Sequence, residues 1–80
     1  MAKAQFAIIY KKVPPLLRRM REDAGLTQRD LAKKVGKSQP WVFKSESASR
    51  RMDIAEFLEW SIGCGVDPME ACKKLVKMRG

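Results

Sequence analysis

Gln39, Phe43 and Lys44 place an amide, an aromatic ring and an ammonium group close together in the chain, with Pro40 between them. At about 100° per residue these four positions share one side of a helix. An amide can donate to and accept from a base edge, a ring can lie against a thymine methyl, and an ammonium can meet a base or a phosphate. That combination suits the groove of a nucleic acid better than it suits bond-making chemistry. The chain has no histidine and two cysteines, Cys64 and Cys72. Neither thiol has a base at catalytic spacing and no phosphate-cradling loop is present, so no enzyme, cofactor or metal site is expected.

The elements that must position these residues run from Thr27 to Glu46, T-Q-R-D-L-A-K-K-V-G-K-S-Q-P-W-V-F-K-S-E. Thr27 and Asp30 have the spacing of a capping box, so a helix is expected to begin near Gln28 with a negative charge at its positive end. Leu31, Ala32 and Val35 share its inner face, and Gly36 can end it in the left-handed conformation. Ser38 is a good cap for a second helix that carries Gln39 and Pro40 in its first turn, where a missing N–H is harmless. Val42 is then the apolar residue placed to meet the first helix. Two helices separated by about three residues form a helix-turn-helix.

Seventeen Lys and Arg against nine Asp and Glu leave a net charge of +8. Between Thr27 and Arg51 the bases Arg29, Lys33, Lys34, Lys37, Lys44, Arg50 and Arg51 face only Asp30 and Glu46. A polyanionic partner follows, and nucleic acid ranks ahead of a membrane because no segment is a basic amphipath with a strongly apolar face. Gln28, Lys37, Ser38, Arg50 and Arg51 are the expected phosphate contacts. The polar loop at 47–51 offers backbone N–H groups and two guanidinium groups beside the reading helix.

Small Ala32, then Gly36, then Val42 have the spacing that lets the two helices of such a motif cross closely. With L-R-R-M-R-E-D-A-G-L-T-Q before it and D-I-A-E-F-L-E-W-S-I-G-C-G-V-D-P after it, the stretch resembles the Cro/C1-type (XRE) helix-turn-helix family over roughly Leu16 to Leu75. The resemblance implies an all-α fold, a compact five-helix bundle of the lambda-repressor-like DNA-binding type. It also implies a third helix in the major groove of double-stranded DNA, a homodimer on a two-fold site, and a prokaryotic or phage transcriptional regulator. It further implies an ion pair between Arg21 and Glu46 that clamps the first helix to the third. Three positions depart from the family pattern: Ser45 replaces an apolar or tyrosine side chain, Ala48 replaces a glycine, and Phe43 replaces a small or polar residue. A looser helix junction, or a compensating contact from Trp41 or the N-terminal segment, is expected at Ser45.

The remaining chain divides into an N-terminal extension, 1–12, and the domain, 13–78. The extension carries the apolar run Phe6 to Tyr10 and is expected to pack on its own domain, the alternatives being an arm that adds to a dimer partner, a partly disordered tail, or an arm bringing Lys3, Lys11 and Lys12 to phosphate. Pro14 disfavours helical geometry at Val13, and a first helix with Leu16, Leu17, Met20 and Ala24 inward is expected to end at Gly25. Asp53 and Glu56 start a fourth helix whose stripe Ile54, Phe57, Leu58 and Ile62 is expected to support the core, with Trp60 off that stripe. Asp67 and Pro68 open a fifth with Met69, Cys72, Leu75 and Val76 inward. The two thiols read as small core residues of a reduced, cytoplasmic protein. The competing function is a protein-interaction module, such as the DNA-binding antitoxin of a toxin–antitoxin pair, using Phe43, Trp60 or Phe6 to Tyr10.

Overall fold

The computed structural model describes residues 9–78. All the helices but the first start where a side chain, of Thr27, Ser38, Asp53 or Asp67, satisfies a backbone N–H group that a first turn leaves without a partner. Ile9 and Tyr10 are helical, and among the described residues five helices follow in order: α1 Val13–Asp23, α2 Gln28–Val35, α3 Gln39–Glu46, α4 Ile54–Gly63 and α5 Pro68–Lys77. There is no strand among the described residues. The expectations for Lys3 and for Phe6 to Ile8 lie outside them.

Both capping boxes form. The Asp30 N–H donates to Thr27 Oγ1 and the Thr27 N–H to Asp30 Oδ2, each at 3.0 Å. The same reciprocal pair joins Asp53 and Glu56, at 2.8 and 3.1 Å. Hydrogen bonds from the Thr27 backbone and side chain hold the Asp30 carboxyl below its usual range. A carboxylate with a lowered folded pKa contributes above its unfolded value, and the contribution is lost as pH falls through the folded one. Ser38 Oγ accepts from the Trp41 N–H at 3.2 Å and Asp67 Oδ1 from the Met69 N–H at 3.1 Å, starting α3 and α5.

The first helix begins one residue earlier than Pro14 allows on local grounds. Val13 is helical and buried, with both prolines in the first turn where no N–H partner is needed. Burial of Val13 beside Leu16 and Leu17 outweighs the local preference against helix before proline. Ala24 caps this helix and is exposed, so it does not extend the inner face formed by Leu16, Leu17 and Met20.

The core differs from expectation on α4 and α5. On α4 the inward face is Phe57, Trp60 and Ser61, with Cys64 just beyond, while Ile54 and Ile62 are exposed and Leu58 lies at the edge. The apolar residues of α4 run round most of its circumference, so the amphipathic pattern alone does not choose between faces. Trp60 decides it. The indole is fully buried and its Nε1–H donates to the Leu17 carbonyl on α1 at 3.0 Å, which satisfies its one polar atom. On α5 only Ala71 is fully buried, with Leu75 and Met78 half-buried behind it, while Met69, Cys72 and Val76 face outward. A small residue at the contact lets α5 approach closely, and the larger apolar groups are left on the far side. Cys64 is buried as expected and Cys72 is not.

Gly63 sets the approach of α4 to α2. A Cβ there would lie 2.9 Å from Val35 Cγ1 and 3.1 Å from Leu31 Cδ1, so the helices pack through the missing side chain. This contact holds the inner face of α2 against α4.

Candidate nucleic-acid interface

The site is built on the pair α2 and α3. Gly36, at φ +71°, ends α2 and lets the Lys37 N–H return to the Ala32 carbonyl at 2.9 Å, turning the chain into α3 within three residues. Val42 is fully buried against Leu31 and Ala32, which fixes how α3 is rotated. That rotation exposes Pro40, Phe43 and Lys44, with Phe43 at 53% of its full surface, and leaves Gln39 half-buried at the edge facing α2. Lys37 and Ser38 are exposed at the N-terminal end of the same side.

Arg21 and Glu46 form the expected clamp between α1 and α3. Arg21 donates from Nε to Glu46 Oε2, from Nη2 to Glu46 Oε1 at 3.0 Å, and from Nη1 to the Leu26 carbonyl at 2.8 Å. The side chains are 11% and 5% exposed, so the pair is largely withdrawn from water and depends on this complete hydrogen bonding. The hydrogen bonds to Glu46 hold the Arg21 pKa above its ordinary value against the opposing effect of burial.

From this clamp a chain of hydrogen bonds with a fixed direction reaches the first turn of α3. Gln28 Nε2 donates to Glu46 Oε1 at 3.1 Å, and Gln39 Nε2 donates to Gln28 Oε1 at 2.7 Å. An ionised carboxylate bound to an arginine can only accept, so Gln28 must turn its amino group to Glu46 and its carbonyl to Gln39. Gln39 therefore has to present an N–H inward. Its carbonyl oxygen and its second N–H are left for the outside, the donor and acceptor pair that matches adenine N7 and N6. Gln28, expected on phosphate, sits half-buried inside this chain.

Of the two expectations at Ser45, the structure shows the compensating contact from Trp41 and not a looser junction. Ser45 is fully buried, its Oγ–H donates to the Trp41 carbonyl at 2.8 Å, and its oxygen accepts from Arg50 Nη1 at 3.3 Å. Trp41 fills the space an apolar side chain would take, lying 5.8 Å from Trp60 between ring centroids, with the Arg50 guanidinium 4.8 Å from its own centroid. Lys37 Nζ approaches the same ring at 5.4 Å.

Arg50 and Arg51 diverge. Arg50 Nη2 donates to both Glu56 oxygens at 3.1 Å, so its guanidinium is held between Glu56, Ser45 and Trp41 instead of standing free for a phosphate. Arg51 is exposed, with its guanidinium 4.8 Å over the Tyr10 ring. Sequence reasoning missed Tyr10, Trp41 and Glu56 as organisers of this loop. Glu56 was visible as a capping residue, whereas nothing in local spacing links Tyr10 to a loop 40 residues away. Ala48 takes the left-handed conformation at φ +64°, and the Ser49 N–H returns to the Lys44 carbonyl at 2.9 Å. The alanine thus occupies the turn geometry that glycine adopts at lower cost.

Among the described residues, no group of His, Cys, Asp and Glu side chains is placed to hold a metal ion. Burial pushes the Cys64 thiol up to about 11, which keeps it protonated and unreactive at neutral pH. No helix among these residues is long and apolar enough to cross a membrane.

A helix-turn-helix domain family model matches residues 16–71. An XRE-family like protein from Pseudomonas syringae pv. tomato str. DC3000 superposes with a TM-score of 0.88 at 37% identity, covering 99% of this chain and 96% of that one. The chain belongs to the XRE family of helix-turn-helix proteins. The wild-type restriction-modification controller protein C.Esp1396I is similar at 26% identity and a TM-score of 0.79, over 88% of this chain and 91% of that one. No curated protein matches the chain. The XRE assignment and the five-helix fold make this chain, in class, a DNA-binding transcriptional regulator.

Proposed function

We propose that this regulator lays α3 in the major groove of duplex DNA, with Gln39 as the residue that chooses the base. The observation that carries the reading is the directed chain from Glu46 through Gln28 to Gln39, which leaves one carbonyl and one N–H of Gln39 for a base. Adenine is the partner this arrangement favours. Phe43 adds apolar contact to a thymine methyl, and Lys44 meets a base or nearby phosphate. Pro40 lies on the same face, and Lys37, Ser38 and Arg51 flank it and hold the backbone, giving affinity without sequence information. Gln28 and Arg50 act one step behind, through Gln39 and through the loop.

A symmetric dimer fits the surface left by α4 and α5. Leu58, Met69, Cys72 and Val76 line a shallow apolar groove of about 540 Å³, with Met69 71% and Val76 61% exposed. An apolar patch of this kind marks a protein contact, and a second copy placed there by a two-fold axis would present two α3 helices together. The same groove is the observation that favours the competing reading, a heterologous protein partner.

The test is a comparison of Gln39→Ala with the wild type on a duplex enriched by selection and on random-sequence duplex. The expected loss on the selected duplex is about 1–3 kcal/mol, with little change on random sequence. Equal losses on both would remove Gln39 from the reading role.

A further inference from the structure

Arg50 and Arg51 are neighbours with opposite fates: Glu56, Ser45 and Trp41 hold the first, and the Tyr10 ring lies under the second. The half-buried Tyr10 hydroxyl accepts from the Met52 N–H at 2.8 Å and donates to the Arg50 carbonyl at 3.4 Å. These two backbone groups flank Arg51. The Tyr10 ring lies under the Arg51 guanidinium, 4.8 Å from it. A stacked guanidinium uses its face and keeps the donors in its plane free, and among the described residues Arg51 donates no hydrogen bond. On the other side, Glu56, Ser45 and Trp41 hold Arg50 and stop the loop from turning over.

We propose that Tyr10 is a positioning residue for phosphate binding, presenting Arg51 to the DNA backbone. The inference rests on the DNA-binding reading above and extends it to a residue outside the stretch that the family model matches. The N-terminal segment then contributes to affinity without touching DNA at Tyr10. The hydroxyl holds the backbone on both sides of Arg51, and the ring restricts a side chain that would otherwise lose much rotamer freedom on binding.

The experiment is a double-mutant cycle on the full chain, measured as affinity for random-sequence duplex across a salt series. Arg51→Ala is expected to weaken binding about ten-fold and to lower the slope of log affinity against log salt by about one. Tyr10→Leu is expected to weaken binding roughly three- to ten-fold in the wild type and to add almost nothing in the Arg51→Ala background. Its effect on selected and random duplexes should be equal. Tyr10→Phe keeps the ring and loses the two hydrogen bonds, and serves where Tyr10→Leu fails to fold. It should weaken binding by about two- to five-fold, again only when Arg51 is present. Losses that simply add, or Tyr10 variants that bind like the wild type, overturn the proposal while leaving the DNA-binding reading intact if the wild type binds duplex with a steep salt dependence. A wild type that binds no duplex at any salt removes both.

Discussion

Glu46 does two tasks with one carboxylate, clamping α1 through Arg21 and setting the direction of the hydrogen bonds that end at Gln39. Glu46→Ala would strand the Arg21 guanidinium in a largely buried place. We expect a loss of about 3–5 kcal/mol, read from chemical denaturation. Ala48 behaves in the opposite sense. Its left-handed backbone costs an L-residue roughly 1–2 kcal/mol, so Ala48→Gly is expected to raise stability by about 1 kcal/mol despite the entropy glycine loses on folding. A lower denaturation midpoint for that variant would show the turn is unstrained. Both features could be read from the sequence, the first through family resemblance and the second through a glycine position filled by alanine. The Gln28–Gln39 contact could not, because its direction depends on a carboxylate that belongs to another helix.

At the scale of helices, what depended on neighbouring residues was legible and what depended on distant ones was not. The capping boxes at Thr27 and Asp53, the left-handed Gly36 and the buried Val42 follow from spacings of a few residues. The inward faces of α4 and α5 do not. Apolar groups lie on several sides of each, and the choice is made by Trp60 reaching the Leu17 carbonyl and by Ala71 allowing close approach. Gly63 is the last residue of α4 and the point where α4 meets α2, a role that no spacing within its own helix reveals. Gly63→Ala should cost about 1–3 kcal/mol through overpacking against Val35 and Leu31. Restoring the space with Val35→Ala in the same chain should recover part of that loss. If the double variant is no better than Gly63→Ala alone, the contact does not control the packing of these helices.

For the molecule as a whole, the proposed function assigns affinity to the positive charge, sequence choice to the α3 face, and the docking of a second copy to the apolar groove. Val76→Glu puts a charge into that groove on an exposed position, where it should not disturb the fold. Sedimentation is expected to show the wild type associating and the variant as a monomer, with the variant weaker on a two-fold site because each half must bind alone. Identical sedimentation of the two proteins would assign the groove to a different partner. The placement of α3 is the proposition on which the rest depends. Dimethyl sulfate footprinting of a selected duplex tests it most directly, since guanine N7 lies in the major groove and adenine N3 in the minor. The account predicts protection of guanine N7 in two patches about one helical turn apart, lost from both in Gln39→Ala at matched protein concentration. Protection confined to adenine N3, or a footprint that Gln39→Ala leaves unchanged, would contradict it.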